Sequence, residues 1–388
     1  EFIVLALVSH LLPGTMTGRQ VNLDRLFYYL TCDSTAILGM PLKIIATIVV
    51  SFMIFGEALS LTGGASFFTD FAMVAMGKYR GGPAKISVVS SALFGTISGS
   101  AVANVVADGI VTIPLMKQSG YRPHVAAAIE AVASTGGQLM PPVMGVAAFL
   151  MAEFLQIPYA DVCIAAIVPS LLYYGALFIE ADLEAGRLGL ARVPKEKIPP
   201  TLPVLKSGWF FSVPFLILIV GIFWLNYAVE ACALYAALIV VVLSLIFGYK
   251  GKRLPIKGGI EVLRATGASV LQIYMIGAAA GIVIGVLNIS GLGFGLTISL
   301  IHAAGGSLIL LLVLAAAVCI ILGMGMPTGA VYILVATLVA PALIQMKIPP
   351  MSAHLFLLFY GVLSAITPPV AVAAFAAASP LQRKSWSR

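Results

Sequence analysis

Long apolar runs dominate the sequence, and they constrain its fold more than any other feature. A membrane-spanning helix needs about 20 consecutive apolar residues. Charged residues make up only 10% of the chain and hydrophobic residues 61%, whereas a soluble domain carries about 25% charged residues. The sequence therefore predicts an all-α polytopic membrane protein in a lipid bilayer and excludes an ordinary soluble enzyme. The clearest predicted spans are residues 41–61, 162–179, 209–226, 231–247 and 268–289.

Other apolar runs are interrupted near their middle. Residues 86–116 and 309–343 each contain two runs too short to cross a bilayer, separated by small and polar residues. Such pairs predict re-entrant helical hairpins. Residues 123–153 and 350–378 are long enough to span but are interrupted by "STGGQLMPP" and "SAITPP". Proline and glycine at these places predict broken helices.

The hairpins and broken helices form an internal repeat. Prolines in the first half of the chain recur 227 residues later at three sites. The pairs are Pro114 with Pro341, Pro123 with Pro350, and Pro141-Pro142 with Pro368-Pro369. We predict a first repeat at 41–180 and a second at 268–380, each in the order span, loop, hairpin and broken helix. Residues 181–267 would be a basic cytoplasmic loop, two linking spans and an amphipathic arm. Residues 1–40 would be the end of an upstream helix and an extracytoplasmic loop, and 381–388 a basic tail.

The positive charges give the predicted orientation. Lys and Arg cluster in short polar segments, such as Lys78, Arg80 and Lys85 before the first hairpin, and cytoplasmic loops carry this excess. The hairpin reading places nearly every cluster on one side and makes the two repeats inverted. Inverted repeats with discontinuous helices are typical of secondary transporters, whose site lies near the midplane. No single face gathers the charges, so nucleic-acid binding is not predicted.

The breaks supply the chemistry expected of an ion and solute site. Helix ends at a break present carbonyls that suit a hard cation and amides that suit a carboxylate. We expect one cation at each hairpin tip and a solute between the tips, although the same residues could simply cap or pack helices. The polar groups offered are Ser98, Gly99, Ser100 and Asn104 with Ser134, Thr135, Gly136 and Gln138 in the first repeat, and Gly325, Thr328 and Gly329 with Ser364 and Thr367 in the second. The candidate solute ligands are Ser100, Asn104, Gln138 and Thr328.

Two acids lie deep in apolar runs. Asp108 and Glu130 are candidate proton or cation carriers, because an ionisable residue inside the membrane is expensive. Either acid could instead face water or pair with a base. The sequence has no HExxH or phosphate-binding loop motif, and its four cysteines suggest neither a disulfide framework nor a metal site. We therefore predict no cofactor beyond a coupling ion and no enzymatic activity.

Two stretches carry a family resemblance, "GKYRGGPAKISVVSSALFGTISGSAVANVVADGIVTIPLMKQSGYRP" and "AAIEAVASTGGQLMPPVMGVAAFLMAEFL". They resemble the large (DctM-like) membrane subunit of TRAP transporters, and more narrowly the fused permeases of the TAXI type. The resemblance covers roughly residues 37–380. Relative to that family, the chain is expected to be truncated at both ends.

The resemblance implies a function as well as a fold. The expected fold is that of an elevator-type secondary transporter of the ion-transporter superfamily, in the cytoplasmic (inner) membrane. The implied activity is uptake of a small organic acid, usually driven by Na⁺. Its partners would be an extracytoplasmic solute-binding protein and a small membrane subunit region, fused upstream or separate. The implied Na⁺ ligands are Ser98, Gly99, Ser100, Thr135, Gly136, Gly325, Met326, Thr328 and Thr367.

Three other functions remain open from the sequence. A carboxylate symporter of the same superfamily would work without a binding protein. A channel could also use hairpins as selectivity filters, although two unlike, inverted tips favour alternating access. An intramembrane enzyme would need a nucleophile beside a base, and neither Ser98 nor Ser100 has a His or Lys at usable spacing. H⁺ coupling also stays open, because of Asp108.

Overall fold

The computed structural model describes residues 2–190, 192–251, 253–255 and 258–379. The predicted basic tail at 381–388 lies outside the described residues, as do Lys252 and Lys257 of the basic clusters. Within the described part of the chain the regular structure is helical, without β-strands.

Twenty α-helices follow one another in the residues that the structure describes. The first ten are α1 Phe2–Val8, α2 Leu23–Cys32, α3 Met40–Ile44, α4 Val50–Leu61, α5 Gly64–Met76, α6 Gly82–Ser98, α7 Ala101–Gln118, α8 Pro123–Gly136, α9 Val146–Leu155 and α10 Tyr159–Arg187. The second ten are α11 Thr201–Gly208, α12 Ser212–Phe223, α13 Val229–Ile246, α14 Gly258–Ser290, α15 Leu292–Ala303, α16 Leu308–Gly323, α17 Thr328–Leu338, α18 Ala340–Gln345, α19 Pro350–Leu363 and α20 Val372–Ala377.

Five helical stretches of the described chain are long and apolar enough to cross a membrane. They are Met40–Leu61, Tyr159–Arg187, Lys195–Phe223, Val229–Ile246 and Gly258–Ser290. Each overlaps one of the five spans predicted from the sequence. The first is continuous because the π-helical segment Ile45–Val49 joins α3 to α4.

The same order of elements occurs twice. The short-run pairs form the helices α6–α7 and α16–α18, and the interrupted spans form α8–α9 and α19–α20. Helices α8 and α19 begin 227 residues apart and also end 227 residues apart, and each continues into a 3₁₀ turn, Gly137–Leu139 or Ser364–Ile366.

Each repeat also contains a short helix where the sequence predicted a loop. Helix α5 precedes the first hairpin and α15 precedes the second. Each begins directly after a glycine in the left-handed region, Gly63 with φ 94° and Gly291 with φ 74°. Glycine adopts this conformation without a steric penalty, so the chain can turn sharply between the long helix and the short one. The prediction of a plain loop was wrong, because apolar segments of 13 and 12 residues are too short to span a bilayer but long enough to form helices.

One compact unit of the chain contains the second hairpin. It comprises Glu1–Val49, Val146–Pro158 and Ser269–Thr367. In it α16 and α17 pack on α19, and α17 also packs on α9. The core of this unit includes three fully buried valines spaced four residues apart, Val331, Val335 and Val339. They belong to one apolar cluster with Leu357.

The other compact unit contains the first hairpin. It comprises Val50–Gly145, Tyr159–Ala268 and Pro368–Arg388. Here α6, α7 and α8 pack on one another, α20 packs on α7 and α8, and α4 packs on α13. The boundary between the two units therefore falls within each broken helix. It follows Gly145 in the first broken helix and Thr367 in the second.

Helix α10 is tied to the first hairpin by charges. Asp182 pairs with Arg80 and accepts a 2.5 Å bond from the Lys85 ammonium. Lys85 had been grouped with loop charges, but it lies in α6 with its side chain 8% exposed. Tyr121, in the turn after α7, donates to the Ala181 carbonyl at 3.5 Å. Burial, reinforced by the negative charges of α10, raises the pKa of Tyr121 to about 12, so this phenol stays protonated at neutral pH.

Candidate ion and solute site at the helix breaks

The first hairpin tip is a tight turn between two helices. Helix α6 ends at Ser98, Gly99 is left-handed with φ 58°, and Ser100 begins the next leg. The Ser100 hydroxyl accepts a bond of 3.3 Å from the Ala103 amide, so it caps α7. Ser100 therefore has the helix-capping role that the sequence allowed as an alternative to ion binding. Ser98 and Gly99 beside it are partly exposed.

The first tip lies directly against the first helix break. A Cβ built on Gly99 would lie 3.4 Å from the Met144 carbonyl oxygen and 3.5 Å from the Gly145 Cα. On the preceding turn, a Cβ on Gly95 would lie only 2.5 Å from the Gly137 Cα. Two glycine contacts thus bring the backbone of the tip to the backbone of the break. This is the arrangement in which carbonyls from both segments can face one ion.

The predicted polar groups of the first break are enclosed. Thr135 is fully buried, and its hydroxyl donates to the Ala131 carbonyl at 2.7 Å. Gly136 faces the rings of Tyr173 and Tyr174. Gln138 is 3% exposed, and its carbonyl accepts a 3.0 Å bond from the Gly145 amide. The structure therefore gathers all three residues at the break that lies against the first tip.

The second tip repeats this arrangement with different residues. Helix α16 ends at Gly323, Gly325 is left-handed with φ 79°, and α17 begins at Thr328. Gly323 lies against Ser364 of the second break, where an added Cβ would meet the hydroxyl oxygen at 2.4 Å. The second tip and the second break are thus neighbours, as in the first repeat.

The remaining predicted ligands of the second repeat are more open. Thr367 donates from its hydroxyl to the Leu363 carbonyl at 2.8 Å, and the Met326 amide donates to the Gly323 carbonyl at 3.2 Å. Thr328, Met326 and Thr367 are partly exposed, and Gly325 is exposed. The atoms that could bind a cation at both tips are carbonyl and hydroxyl oxygens, which suit a hard cation such as Na⁺. Within the described residues no group of three His, Cys, Asp or Glu side chains could hold a metal ion.

The deep acids meet in a second polar site behind the first tip. This acid cluster consists of buried polar side chains from α6, α7 and α8: Ser87, Ser90, Ser91, Asn104, Asp108, Thr112, Glu130 and Ser134. Glu130 accepts hydrogen bonds from Ser87 at 2.7 Å, Ser134 at 2.9 Å and Ser91 at 3.0 Å, and from Thr112.

The two acids share one hydroxyl. Ser91 reaches a Glu130 oxygen at 3.0 Å and an Asp108 oxygen at 3.5 Å, and Ser90 donates to the same Asp108 oxygen at 2.8 Å. The other Asp108 oxygen, Oδ1, is buried without a hydrogen-bond partner in the described structure. The sequence showed both acids but gave no reason to place them together, because they lie 22 residues apart on different helices.

Asn104 belongs to this cluster by its contacts. It is fully buried, and its amide nitrogen donates to the Ser91 carbonyl at 2.9 Å and to the Ser134 carbonyl at 3.5 Å. Its Oδ1 has no partner within the described residues. The sequence reading missed Ser87, Ser90, Ser91 and Thr112. The sequence signal for them was a spacing of three or four residues between polar side chains within an apolar run, which places the side chains on one helix face.

An apolar cleft adjoins the first break. It has a volume of about 370 Å³ and is lined by Phe67, Phe68, Ala92, Leu93, Thr96, Met140, Pro141, Pro142, Phe211, Ser212, Phe215 and Leu216. The lining carries no charged side chain, so the cleft offers no counter-charge for a carboxylate. The polar backbone of the tips, and not this cleft, fits an anionic solute.

Comparisons with known proteins agree with this architecture. Residues 2–384 match the family model for the DctM component of the tripartite ATP-independent periplasmic transporters. The C4-dicarboxylate TRAP transporter large permease protein DctM of Pseudomonas aeruginosa is 26% identical over 327 residues, 84% of this chain and 75% of that protein. The uncharacterized protein y4mL of Sinorhizobium fredii is 35% identical over 127 residues, which are 33% of this chain and only 30% of that relative.

A solved transporter shares the fold. The crystal structure of the Alcanivorax borkumensis YdaH transporter, described as having an unusual topology, superposes with a TM-score of 0.65. The match covers 99% of this chain and 90% of that one at 18% sequence identity. At this identity the likeness concerns the fold alone.

Proposed function

Because this chain belongs to the DctM component family of the tripartite ATP-independent periplasmic transporters, we propose that it imports a small organic acid by cation-coupled secondary transport. The observation that carries the proposal is the contact between each hairpin tip and a helix break. Discontinuous helices meeting in pairs are the devices with which secondary transporters hold ions and anionic solutes. The sequence pattern further supports inverted repeats, and an elevator-type movement is what the resemblance to the family implies.

The coupling ion we propose is Na⁺, bound at both tips. In the first repeat, Ser98, Gly99 and Ser100 would bind it with Thr135 and Gly136 of the break. In the second, Gly325, Met326 and Thr328 would bind it with Thr367. Neutral oxygen ligands at helix ends support this choice, because partial negative charge on carbonyls attracts a hard cation without a buried carboxylate.

The solute we propose is a small carboxylate. Relatives of this chain include permeases named for C4-dicarboxylates and sialic acid. The amides that begin α7 and α17 carry partial positive charge, which suits a carboxylate. Ser100, Gln138 and Thr328 would orient it. Asn104 is the fourth candidate solute ligand, and its side chain is fully buried in the acid cluster.

The partners follow from the family. An extracytoplasmic binding protein would deliver the solute, and a small membrane subunit, fused or separate as in the TAXI type, would complete the permease. The family membership supports both partners, whereas the rival symporter of the same superfamily would need neither. A channel is disfavoured by the two tips of unlike composition, and trans-stimulated exchange of labelled solute would separate a carrier from a channel.

The Na⁺ sites can be tested in proteoliposomes containing the full-length permease with its partners. We expect Ser98→Ala and Thr135→Val to raise the Na⁺ concentration for half-maximal uptake several-fold, because each removes one oxygen ligand. Ser119→Ala is the matched control, since Ser119 caps the far end of α7 and should leave the Na⁺ dependence unchanged. Uptake with the same Na⁺ dependence in all four proteins would contradict the proposed sites.

A further inference from the structure

The acid cluster contains two carboxyl groups and no basic side chain that could neutralise them. Asp108 and Glu130 are 1% and 0% exposed. Among the described residues, neither acid takes part in an ion pair, and the nearest basic side chain along α6, Lys85, is already paired with Asp182. Two ionised carboxylates buried together without a cation are energetically untenable, and such groups take up a proton or a metal ion instead.

The neighbouring elements do not supply the missing charge. Helix α10 brings the phenols of Tyr173 and Tyr174, which donate to carbonyls of α8 at 2.8 and 2.9 Å. Helix α5 brings Thr69, which lies 3.3 Å from Ser90, and Asp70, which is bound to Tyr249 and Lys250. Helix α20, VAAFAA, contains no titratable side chain, and the titratable residue of α4, which packs on α6, is another acid, Glu57.

The second hairpin serves as an internal control for packing. Gly95 lies against Asn104, and its counterpart Gly323 lies against Val331 in the same way. This fixes the correspondence between the two sets of three helices. The places of Ser87, Ser91, Asn104, Asp108, Thr112 and Glu130 are taken in the second repeat by Ala315, Cys319, Val331, Val335, Val339 and Leu357. All six of these are fully buried.

The same three-helix packing therefore forms with apolar side chains at all six of these positions. The polar residues of the first hairpin are not required to build it, and buried polar networks are often less stable than apolar packing of similar volume. Two oxygens also remain unpaired within the described cluster, Oδ1 of Asp108 and Oδ1 of Asn104, on successive turns of one face of α7. Unpaired buried oxygens point to a ligand that completes them.

We propose that the acid cluster is a proton-binding site, in which Asp108 and Glu130 hold one exchangeable proton between them. Binding converts one carboxylate to a carboxylic acid, and release returns the proton to water. The surrounding hydroxyls fit this ligand better than a metal ion, because at least four of them already donate to the carboxylate oxygens. A carboxylate can only accept hydrogen bonds. When one of the two acids is protonated, its O–H group can donate a hydrogen bond to a neighbouring oxygen.

The site is separate from the Na⁺ sites proposed at the tips. It would let the first repeat respond to a pH gradient, and the second repeat, apolar at these positions, has no counterpart of the acid pair. Only this coupling role rests on the proposed function. Proton occupancy itself is a property of the cluster and can be measured without any solute, so failure of one proposal leaves the other standing.

Infrared spectroscopy of the reconstituted full chain tests the proposal. A protonated carboxylic acid absorbs apart from a carboxylate. We expect the wild-type protein to show the acid absorption at neutral pH, to lose it in alkaline buffer and to regain it on acidification. Addition of NaCl at constant pH should leave it unchanged. The double variant Asp108→Asn/Glu130→Gln should lack this absorption, and Glu180→Gln, which removes an exposed acid of α10, should keep it.

Three results would overturn the proposal. Absence of the acid absorption in wild type at neutral pH would mean that no proton is bound. An absorption that does not change between acidic and alkaline buffer would mean that the proton is not exchangeable. Its loss on addition of Na⁺ at constant pH would mean that the cluster binds a metal cation. All three use the wild-type protein, so the test stands even if the double variant does not fold.

Discussion

Single glycines determine how closely the first hairpin approaches its break. Gly95 is the clearest case, because an added Cβ would lie 2.5 Å from the backbone of Gly137 and 2.7 Å from the Asn104 amide nitrogen. A backbone atom cannot move aside as the end of a flexible side chain can. The residue at 95 therefore has to be glycine for the tip and break to meet.

The Gly95→Ala substitution should separate tip and break. We expect a loss of about 1–3 kcal/mol in stability, as for other overpacked interiors, together with weaker Na⁺ dependence of uptake. Gly175→Ala in α10 is the matched control, because nothing lies within 4 Å of its added Cβ. Alanine in that helix should be neutral or stabilising by up to about 1 kcal/mol. Thermal denaturation in detergent compares them, and equal midpoints would show that the contact does not matter.

At the scale of residues, the sequence allowed prediction of the two tips but not of the acid cluster. Tips could be found because Gly, Ser and Pro interrupt apolar runs locally. The cluster could not, because Asp108 and Glu130 meet only when α7 and α8 pack on each other. Spacing of four residues, as in Asn104 and Asp108, gave the helix face, but no local pattern says which helix that face will meet.

Among the elements, the two hairpins have the same packing and opposite interiors. The first encloses hydroxyls and acids, and the second has alanine, cysteine, valine and leucine at the matching positions. Helix lengths and breaks were predictable, since each depends on local breakers and on run length. Helices α5 and α15 were missed because their segments of 13 and 12 residues are too short to be spans.

Exchange of one residue between the hairpins tests this difference. Asp108→Val should leave the protein folded with only a modest loss of stability, because the two hydroxyls that donate to Asp108 keep other partners, Ser90 with Thr69 and Ser91 with Glu130. Val335→Asp, at the corresponding fully buried position, should reduce folded yield severely, because no hydroxyl-rich cluster surrounds it. Size-exclusion profiles of the purified variants measure both. Equal yields would contradict the assignment of different roles to the two interiors.

For the whole molecule, the predicted class is confirmed. The chain is an all-α polytopic membrane protein, its family consists of multi-pass inner-membrane permeases and not of enzymes, and a solved transporter has the same fold. Composition alone was enough for the membrane class, because so few charged residues cannot cover a soluble surface. Solute and coupling ion could not be predicted to the same degree, because each depends on a few atoms at the breaks.

In the proposed mechanism, a cation gradient drives solute uptake with the help of a binding protein. Its most direct test is uptake of a labelled C4-dicarboxylate into proteoliposomes containing the full-length permease, with Na⁺ and pH gradients imposed separately and the binding protein added or omitted. We predict uptake only when the binding protein and an inward Na⁺ gradient are both present, with further acceleration by an inward proton gradient. Uptake at the same rate without the binding protein, or without any ion gradient, would contradict the account.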